Sequence, residues 1–166
     1  DWKVRIVDTG VSTMTGGRLL RALNILGDED RFFFTYGDGL ANVNLKKLLE
    51  FHKQTKTIAT VTAVSPPGRF GKIRFADNLA SNFSEKPKDD VERINGGFFV
   101  LTPKIFEYLS GDNCVFEEDC LSRLTSNREL SVFSHDGYWQ CMDTIRDLEQ
   151  IRIDAKAAIA PWLDIK

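Results

Sequence analysis

Arg31-Phe32-Phe33-Phe34-Thr35-Tyr36-Gly37-Asp38-Gly39 is the stretch whose reading decides the fold. Three consecutive aromatic residues followed by Thr and Tyr have the composition of a β-strand, and the lack of polar alternation predicts burial on both faces, as in a parallel sheet. The run ends abruptly at a carboxylate between two glycines. Open α/β sheets bind ligands at the C-terminal ends of their strands, and glycines there let the backbone turn tightly or approach a ligand. Two readings fit Asp38: it holds Mg²⁺ against the phosphates of a nucleotide, or it occupies an ordinary Gly-Asp-Gly turn.

Working outward, Lys3 to Asp8 reads as a short strand through Val4, Ile6 and Val7, followed by a loop of turn formers. Thr15 is the expected N-cap of a helix carrying Leu19, Leu20, Leu23 and Leu26 at three- and four-residue spacing and stopping at Gly27. Gly16, Gly17 and Arg18 form either an anion-binding helix entry or a plain flexible start. A second helix is predicted from Asn44 to Gln54, with His52 as a packing residue on its apolar face, and a strand from Thr57 to Val64. Alternation of strand and helix predicts a parallel sheet with right-handed crossovers.

The remainder supplies further polar candidates. Arg69, in the Ser65 to Gly71 loop, either clamps a phosphate or is solvated. Lys72–Phe75 and Leu79–Ser84 read as a hairpin around Asp77-Asn78. The Glu85-Lys86 pair before Pro87 either hydrogen-bonds sugar hydroxyls and a phosphate or forms an exposed ion pair. Asn95, Gly96 and Gly97 open a strand from Ile94 to Leu101, where a ligand or another backbone lies close to the main chain, or a β-bulge interrupts it. Covering helices are predicted at Pro103–Leu109 and Glu117–Leu124, a strand at Leu130–Phe133, and a turn at His135-Asp136-Gly137. Tyr138 to Met142 reads as a strand leading to a helix from Ile145 to Ala158. Asp143 or Thr144 stands at that junction, and Asp143 either caps the helix or is the second carboxylate of a hard-cation site.

The 166 residues, 42% hydrophobic and 28% charged, predict one soluble globular domain with a real core. A net charge of −2 without a basic segment excludes a nucleic-acid partner. No apolar run approaches the roughly 18 residues of a membrane span, and the first residues lack the pattern of a signal peptide. Cys114, Cys120 and Cys141 have no paired spacing, so reduced cytoplasmic thiols are expected. Opening on Asp1-Trp2 without Met, the sequence reads as a piece of a longer protein.

In order, Val7-Asp8-Thr9-Gly10, Met14-Thr15-Gly16-Gly17-Arg18-Leu19, Phe34-Thr35-Tyr36-Gly37-Asp38-Gly39, Pro66-Pro67-Gly68-Arg69-Phe70-Gly71, Glu85-Lys86-Pro87, Ile94-Asn95-Gly96-Gly97-Phe98-Phe99-Val100 and Trp139-Gln140 to Met142-Asp143-Thr144 resemble the sugar-1-phosphate nucleotidyltransferase family. The second and fourth of these stretches favour its cytidylyl branch. The resemblance extends over essentially the whole chain and implies a three-layer, Rossmann-like α/β fold with a mixed, mostly parallel sheet, residues 1–166 being the C-terminal two-thirds of a single domain. The activity implied is transfer of CMP from CTP to α-D-glucose 1-phosphate, giving CDP-glucose and pyrophosphate for deoxysugar and lipopolysaccharide synthesis. A cytoplasmic enzyme, homo-oligomeric when full length, is implied as well.

By the same resemblance Asp38 and Asp143 hold Mg²⁺ and act with Lys86 in catalysis. Thr13, Arg18 and Gly37 line the CTP site, and Glu85, Lys86, Asn95 and Gly96 hold the sugar phosphate. Such chemistry relies on positioning and charge neutralisation and needs no protein nucleophile. Two features depart from the family pattern. The Gly-rich G-G-x-G-T-R-L loop and its following Lys are not among these residues, which implies truncation on the N-terminal side and an inactive isolated chain. Cys141 stands where the cytidylyl branch commonly has Pro. A split or non-catalytic sugar-phosphate-binding subunit and a related uridylyl- or thymidylyltransferase are the alternatives.

Overall fold

The computed structural model describes residues 3–66, 72–76, 79–84 and 93–164. In chain order the elements are α1 (Thr15–Arg21), α2 (Leu23–Leu26), β1 (Phe32–Thr35), β2 (Gly39–Ala41), α3 (Leu45–Thr55), β3 (Ala59–Val64), β4 (Lys72–Ala76), β5 (Leu79–Ser84), β6 (Ile94–Leu101), a 3₁₀ turn (Pro103–Tyr108), a π-helical turn (Phe116–Leu121), α4 (Ser122–Ser126), β7 (Leu130–His135), β8 (Trp139–Cys141), α5 (Ile145–Asp154) and a 3₁₀ turn (Pro161–Leu163). The chain divides into two compact units: Asp1–Thr35 with Leu45–Val61 and Gly97–Phe133, and Tyr36–Asn44 with Thr62–Gly96 and Ser134–Lys166.

The main sheet has the order β1-β6-β3-β7. In the first unit β1 pairs antiparallel with β6, Phe32 opposite Leu101 and Thr35 opposite Phe98. Thr102 N–H, just beyond β6, donates to Ile58 O, just before β3, at 2.9 Å, so these strands also run antiparallel. Ala59 N–H donates to Glu129 O at 3.1 Å, placing the starts of β3 and β7 side by side and making that pair parallel. The sheet is therefore mixed: β1, β3 and β7 point one way, and β6 is reversed between β1 and β3.

All six residues of β3 are buried, as a continuous β-branched and Ala run requires. Phe34, Phe99 and Phe116 pack with centroid separations of 5.1–5.7 Å, each such pair adding about 0.5–1.5 kcal/mol beyond its area. From α3, Phe51 packs edge-on against Phe133, and buried His52 places Nδ1 2.8 Å from Thr60 Oγ1. His52 is thus the packing residue that its helix position predicts.

Several expectations change here. Phe33 is 47% exposed and Thr35 is exposed, so β1 alternates half-buried with exposed residues and is not buried on both faces; it ends the described strand order, where only one face meets the core. Lys3 to Asp8 forms no strand: Val4 and Ile6 are 77% and 96% exposed, and no ladder among the described residues takes them. Apolar alternation permits a strand, but only a partner makes one.

The predicted helix from Thr15 breaks at Ala22 and stops at Gly27, whose φ of 62° favours glycine. Its N-cap is Met14. Thr15 Oγ1 instead donates to Glu117 Oε2 and accepts from Phe116 N–H, both at 2.9 Å. Gly16 and Gly17 do not present free N–H groups to an anion, because both donate to Cys114 O. Close packing is the reason for both glycines: a Cβ at position 16 would lie 2.7 Å from Cys114 Sγ, and one at 17 would lie 2.6 Å from Asp112 O.

In the second unit β2 pairs antiparallel with β8, Gly39 opposite Cys141 and Ala41 opposite Trp139. The β4–β5 hairpin forms as expected, with a register irregularity between Arg74 and Phe75, while the Asp77-Asn78 turn lies outside the described residues. Tyr138 Oη donates to Asp154 Oδ2 at 2.7 Å, and Asn42 Nδ2 donates to Asp164 O at 2.8 Å, fixing both sides of the C-terminal segment. Among the described residues no helix is long and apolar enough to cross a membrane.

Candidate active site

The candidate metal pair and the described sugar-phosphate candidates lie in the second unit. Asp38 is exposed in the turn before β2, and the β2–β8 ladder is prolonged by Met142 N–H donating to Asp38 O at 2.9 Å. Asp143 follows Met142 and is also exposed. One ladder spacing plus one residue places the Cα atoms of Asp38 and Asp143 within about 9 Å of each other. The chain turns at Gly37-Asp38 and bends at Asp143-Thr144, so both carboxylates occupy the irregular end of one short ladder.

Asp143 does not cap α5. Thr144 is the N-cap: its hydroxyl accepts from Asp147 N–H at 3.2 Å, and Asp147 Oδ2 accepts from Thr144 N–H at 3.0 Å, a reciprocal capping box. Asp143, Asp147 and Cys141 each place one potential ligand atom within 4.8 Å of the others. Their chemistry separates them. Asp147 is buried, and its oxygens already accept from Thr144 N–H, from Thr144 Oγ1 at 2.8 Å and from Gln140 Nε2 at 3.3 Å. The Cys141 thiol is a soft donor that a hard cation does not select. Exposed Asp38 and Asp143 supply the oxygen donors suited to Mg²⁺, which takes one or two carboxylates and fills its octahedron with water and phosphate oxygens.

Asn95 and Gly96 open β6. Asn95 Nδ2 donates to Tyr36 Oη at 3.3 Å, and Gly96 O accepts the indole N–H of Trp139 at 2.8 Å. Gly96 is buried against β3: a Cβ there would meet Val64 Cγ1 at 2.8 Å and Thr62 O at 3.0 Å. The Val64 side chain and the Thr62 carbonyl of the neighbouring strand together are thus what exclude a side chain at Gly96. Gly97 has a φ of 77°, the left-handed backbone that a bulge uses. Gly37 faces open space.

In the first unit Thr13 is buried, its Oγ1 towards Gly10 and its Cγ2 towards Gly17. The exposed Arg18 guanidinium donates to Thr9 Oγ1 at 2.7 Å and to Val11 O at 3.2 Å, bracing the loop before α1. Glu85, Lys86 and Arg69 lie outside the described residues.

Gln140, Asp147, Trp139 and Tyr36 join the candidate residues without having been given roles from sequence. Tyr36 and Trp139-Gln140 lie within the stretches that carry the family resemblance, and Asp147 has the Thr-x-x-Asp spacing of a capping box. The three cysteines are free thiols. Burial pushes the Cys120 thiol up to about 12, with the neighbouring Cys114 adding to the effect, so it is not a nucleophile.

With the geometry in place, the likeness to known proteins becomes specific. Residues 13–157 match the nucleotidyl transferase family. The glucose-1-phosphate cytidylyltransferases of Salmonella typhimurium and Salmonella typhi are each 44% identical to this chain over 161 residues, 97% of this chain and 63% of theirs. The chain thus spans less than two thirds of the length of these relatives. Among solved structures, HddC from Yersinia pseudotuberculosis shares the fold with a TM-score of 0.65 at 22% identity, over 87% of this chain and 63% of that one. With the family match reaching from Thr13 to Ala157, the chain belongs to the nucleotidyl transferase family.

Proposed function

We propose that the protein carrying this chain transfers CMP from CTP to glucose 1-phosphate, with residues 1–166 forming the C-terminal two-thirds of its nucleotidyltransferase domain. The observation that carries the reading is the meeting of the Asp38 and Asp143 segments at the end of the β2–β8 ladder, in a chain 44% identical to relatives named for that reaction. In the reaction a phosphate oxygen of the sugar phosphate attacks the α-phosphorus of CTP in line. The bond from that phosphorus to the bridging oxygen breaks, and pyrophosphate leaves with its electron pair. Asp38 and Asp143 would hold Mg²⁺, which supplies neutralisation of the triphosphate charge.

The other assignments follow from the chemistry of each group. Asn95 can donate and accept at once, matching a sugar hydroxyl, with Gly96 beside it in β6. Glu85 and Lys86 complete the sugar-phosphate set, the ammonium of Lys86 balancing phosphate charge. Thr13, Arg18 and Gly37 serve the nucleotide. Rate enhancement then comes from alignment and charge, to which a thiol or imidazole contributes nothing. The free thiols accord with a reducing cytoplasm, where we place the enzyme as a homo-oligomer.

The test is pyrophosphate release by the full-length protein with glucose 1-phosphate, Mg²⁺ and each of CTP, UTP and dTTP. CTP is expected to give the largest kcat/KM, and Asp38→Ala and Asp143→Ala are expected to lower kcat at least a hundredfold, the scale of losing one electrostatic stabiliser. A preference for UTP or dTTP would overturn the cytidylyl assignment. Full activity in Asp38→Ala would overturn its role as a ligand.

A further inference from the structure

We infer that Gln140 and Asp147 are positioning residues for Asp143, a buried polar clamp that fixes the bend from which this carboxylate projects. The inference rests on the metal reading of Asp143 given above. Gln140 in β8 and Asp147 in the first turn of α5 are only 9% and 7% exposed, whereas Asp143 between them is exposed. A buried carboxylate is costly unless its oxygens are hydrogen-bonded. Asp147 meets that requirement through the Thr144 N–H, the Thr144 hydroxyl and Gln140 Nε2.

These bonds do more than satisfy Asp147. Gln140 Nε2 also donates to Cys141 O at 2.8 Å, tying the last residue of β8 to the clamp. Met142 is held from the other side by its N–H bond to Asp38 O, and Thr144 is held by the capping box. Cys141, Met142 and Thr144 are thereby fixed, and Asp143 is carried on a backbone anchored before and after it.

The test is Mn²⁺ binding alone, read by the electron paramagnetic resonance signal of free Mn²⁺, on the full-length protein and its Gln140→Met, Asp147→Asn and Asp143→Ala variants. Gln140→Met keeps volume and removes the amide, so it decides the question even where Asp147→Asn does not fold. Asp143→Ala should abolish the tight site. Gln140→Met and Asp147→Asn should each raise the Mn²⁺ Kd about tenfold or more, the usual effect of losing a group that orients a ligand. In the enzyme assay they should raise the Mg²⁺ requirement and leave the KM for glucose 1-phosphate within about twofold.

Wild-type Mn²⁺ binding in Asp143→Ala would overturn the metal reading itself. Loss in Asp143→Ala with wild-type binding in both clamp variants would overturn the clamp alone. Weakened binding in Asp147→Asn with wild-type binding in Gln140→Met would make Asp147 a ligand and overturn its positioning role.

Discussion

Gly17→Ala separates two accounts of the Gly16-Gly17 pair, because they predict stability changes of opposite sign. Position 17 lies inside α1, where Ala is intrinsically favoured over Gly by about 1 kcal/mol. A glycine present only for a flexible helix start would therefore be improved by the change. The structure predicts the reverse: the new methyl would lie 2.6 Å from Asp112 O, 2.7 Å from Asp112 Cα and 2.8 Å from Thr13 Cγ2. Restoring an ordinary 3.4 Å contact from 2.6 Å moves the Asp112 backbone by about 0.8 Å. The Met14 N–H to Asp112 O bond, now 2.9 Å, then passes beyond hydrogen-bonding reach. Overpacking costs about 1–3 kcal/mol, and losing a hydrogen bond whose donor sits on exposed Met14 adds about 0.5–1.5 kcal/mol, against the roughly 1 kcal/mol of helix propensity. A net loss of about 2 kcal/mol corresponds to a fall in Tm of about 4–8 °C for a protein of this size or somewhat larger. Thermal unfolding of the full-length protein measures it, with Gly37→Ala, which faces open space, expected to stay within about 0.5 kcal/mol of wild type. An unchanged or raised Tm in Gly17→Ala would refute the packing argument.

Trp139→Phe keeps an aromatic side chain but deletes the indole donor, leaving Gly96 O without its 2.8 Å partner; on the proposed sugar-phosphate role of Asn95, a shift of that residue costing about 1 kcal/mol is expected to raise the KM for glucose 1-phosphate roughly fivefold with little change in kcat, and steady-state kinetics in which kcat falls while KM stays constant would contradict this role. Stability should also depend on pH at both ends. Burial lowers the His52 pKa below its ordinary value of 6.5, with the Arg31 charge acting in the same direction, so the unfolded chain binds a proton that the folded one refuses as pH falls below 6.5. Stability therefore decreases on acidification from that point, and urea unfolding should show the low-pH slope reduced in His52→Gln; an unchanged slope would contradict the assignment. Cys120 gives the opposite limb: burial raises its folded pKa to about 12 from an ordinary value of 9.0. Stability is lost as pH rises above 9, where the unfolded thiol ionises first, and Cys120→Ala should flatten that decline.

Much of the local structure is legible in the chain because local chemistry determines it. β6 spans Ile94–Leu101, the bounds read from sequence, since Asn-Gly-Gly and Thr-Pro punctuate an aromatic run at its two ends. α3 follows from Asn44 and the leucine spacing, and Gly27 stops α2 through its positive φ. Pairing is not local, and there the reading fails. Nothing in Ile94–Leu101 states that it runs antiparallel between β1 and β3, a fact fixed by bonds such as Thr102 to Ile58 across more than forty residues of chain. The Phe32-Phe33-Phe34 run illustrates the same limit. Aromatic residues suit a buried strand equally well on one face or two, and the place of β1 at the end of the described strand order decides for one.

The candidate site divides along the same line. Asp38 and Asp143 are identifiable because each is a carboxylate at the end of an element, beside a turn or a helix start. What relates them is the register Gly39 to Cys141, a pairing between segments about a hundred residues apart that neither segment encodes alone. One step of slippage would bring Asp38 opposite a neighbouring residue and reverse which side chains of β8 face inwards. Gln140 is buried and its two neighbours are only partly so, which makes that slip unfavourable: it would carry the amide away from Asp147 and leave a buried carboxylate with fewer donors. The polar clamp that holds Asp143 therefore also resists misregister of β2 on β8. The relation between the two carboxylates is thus secured by buried groups whose sequence context, a motif Gln and a first-turn Asp of a helix, does not reveal that they meet.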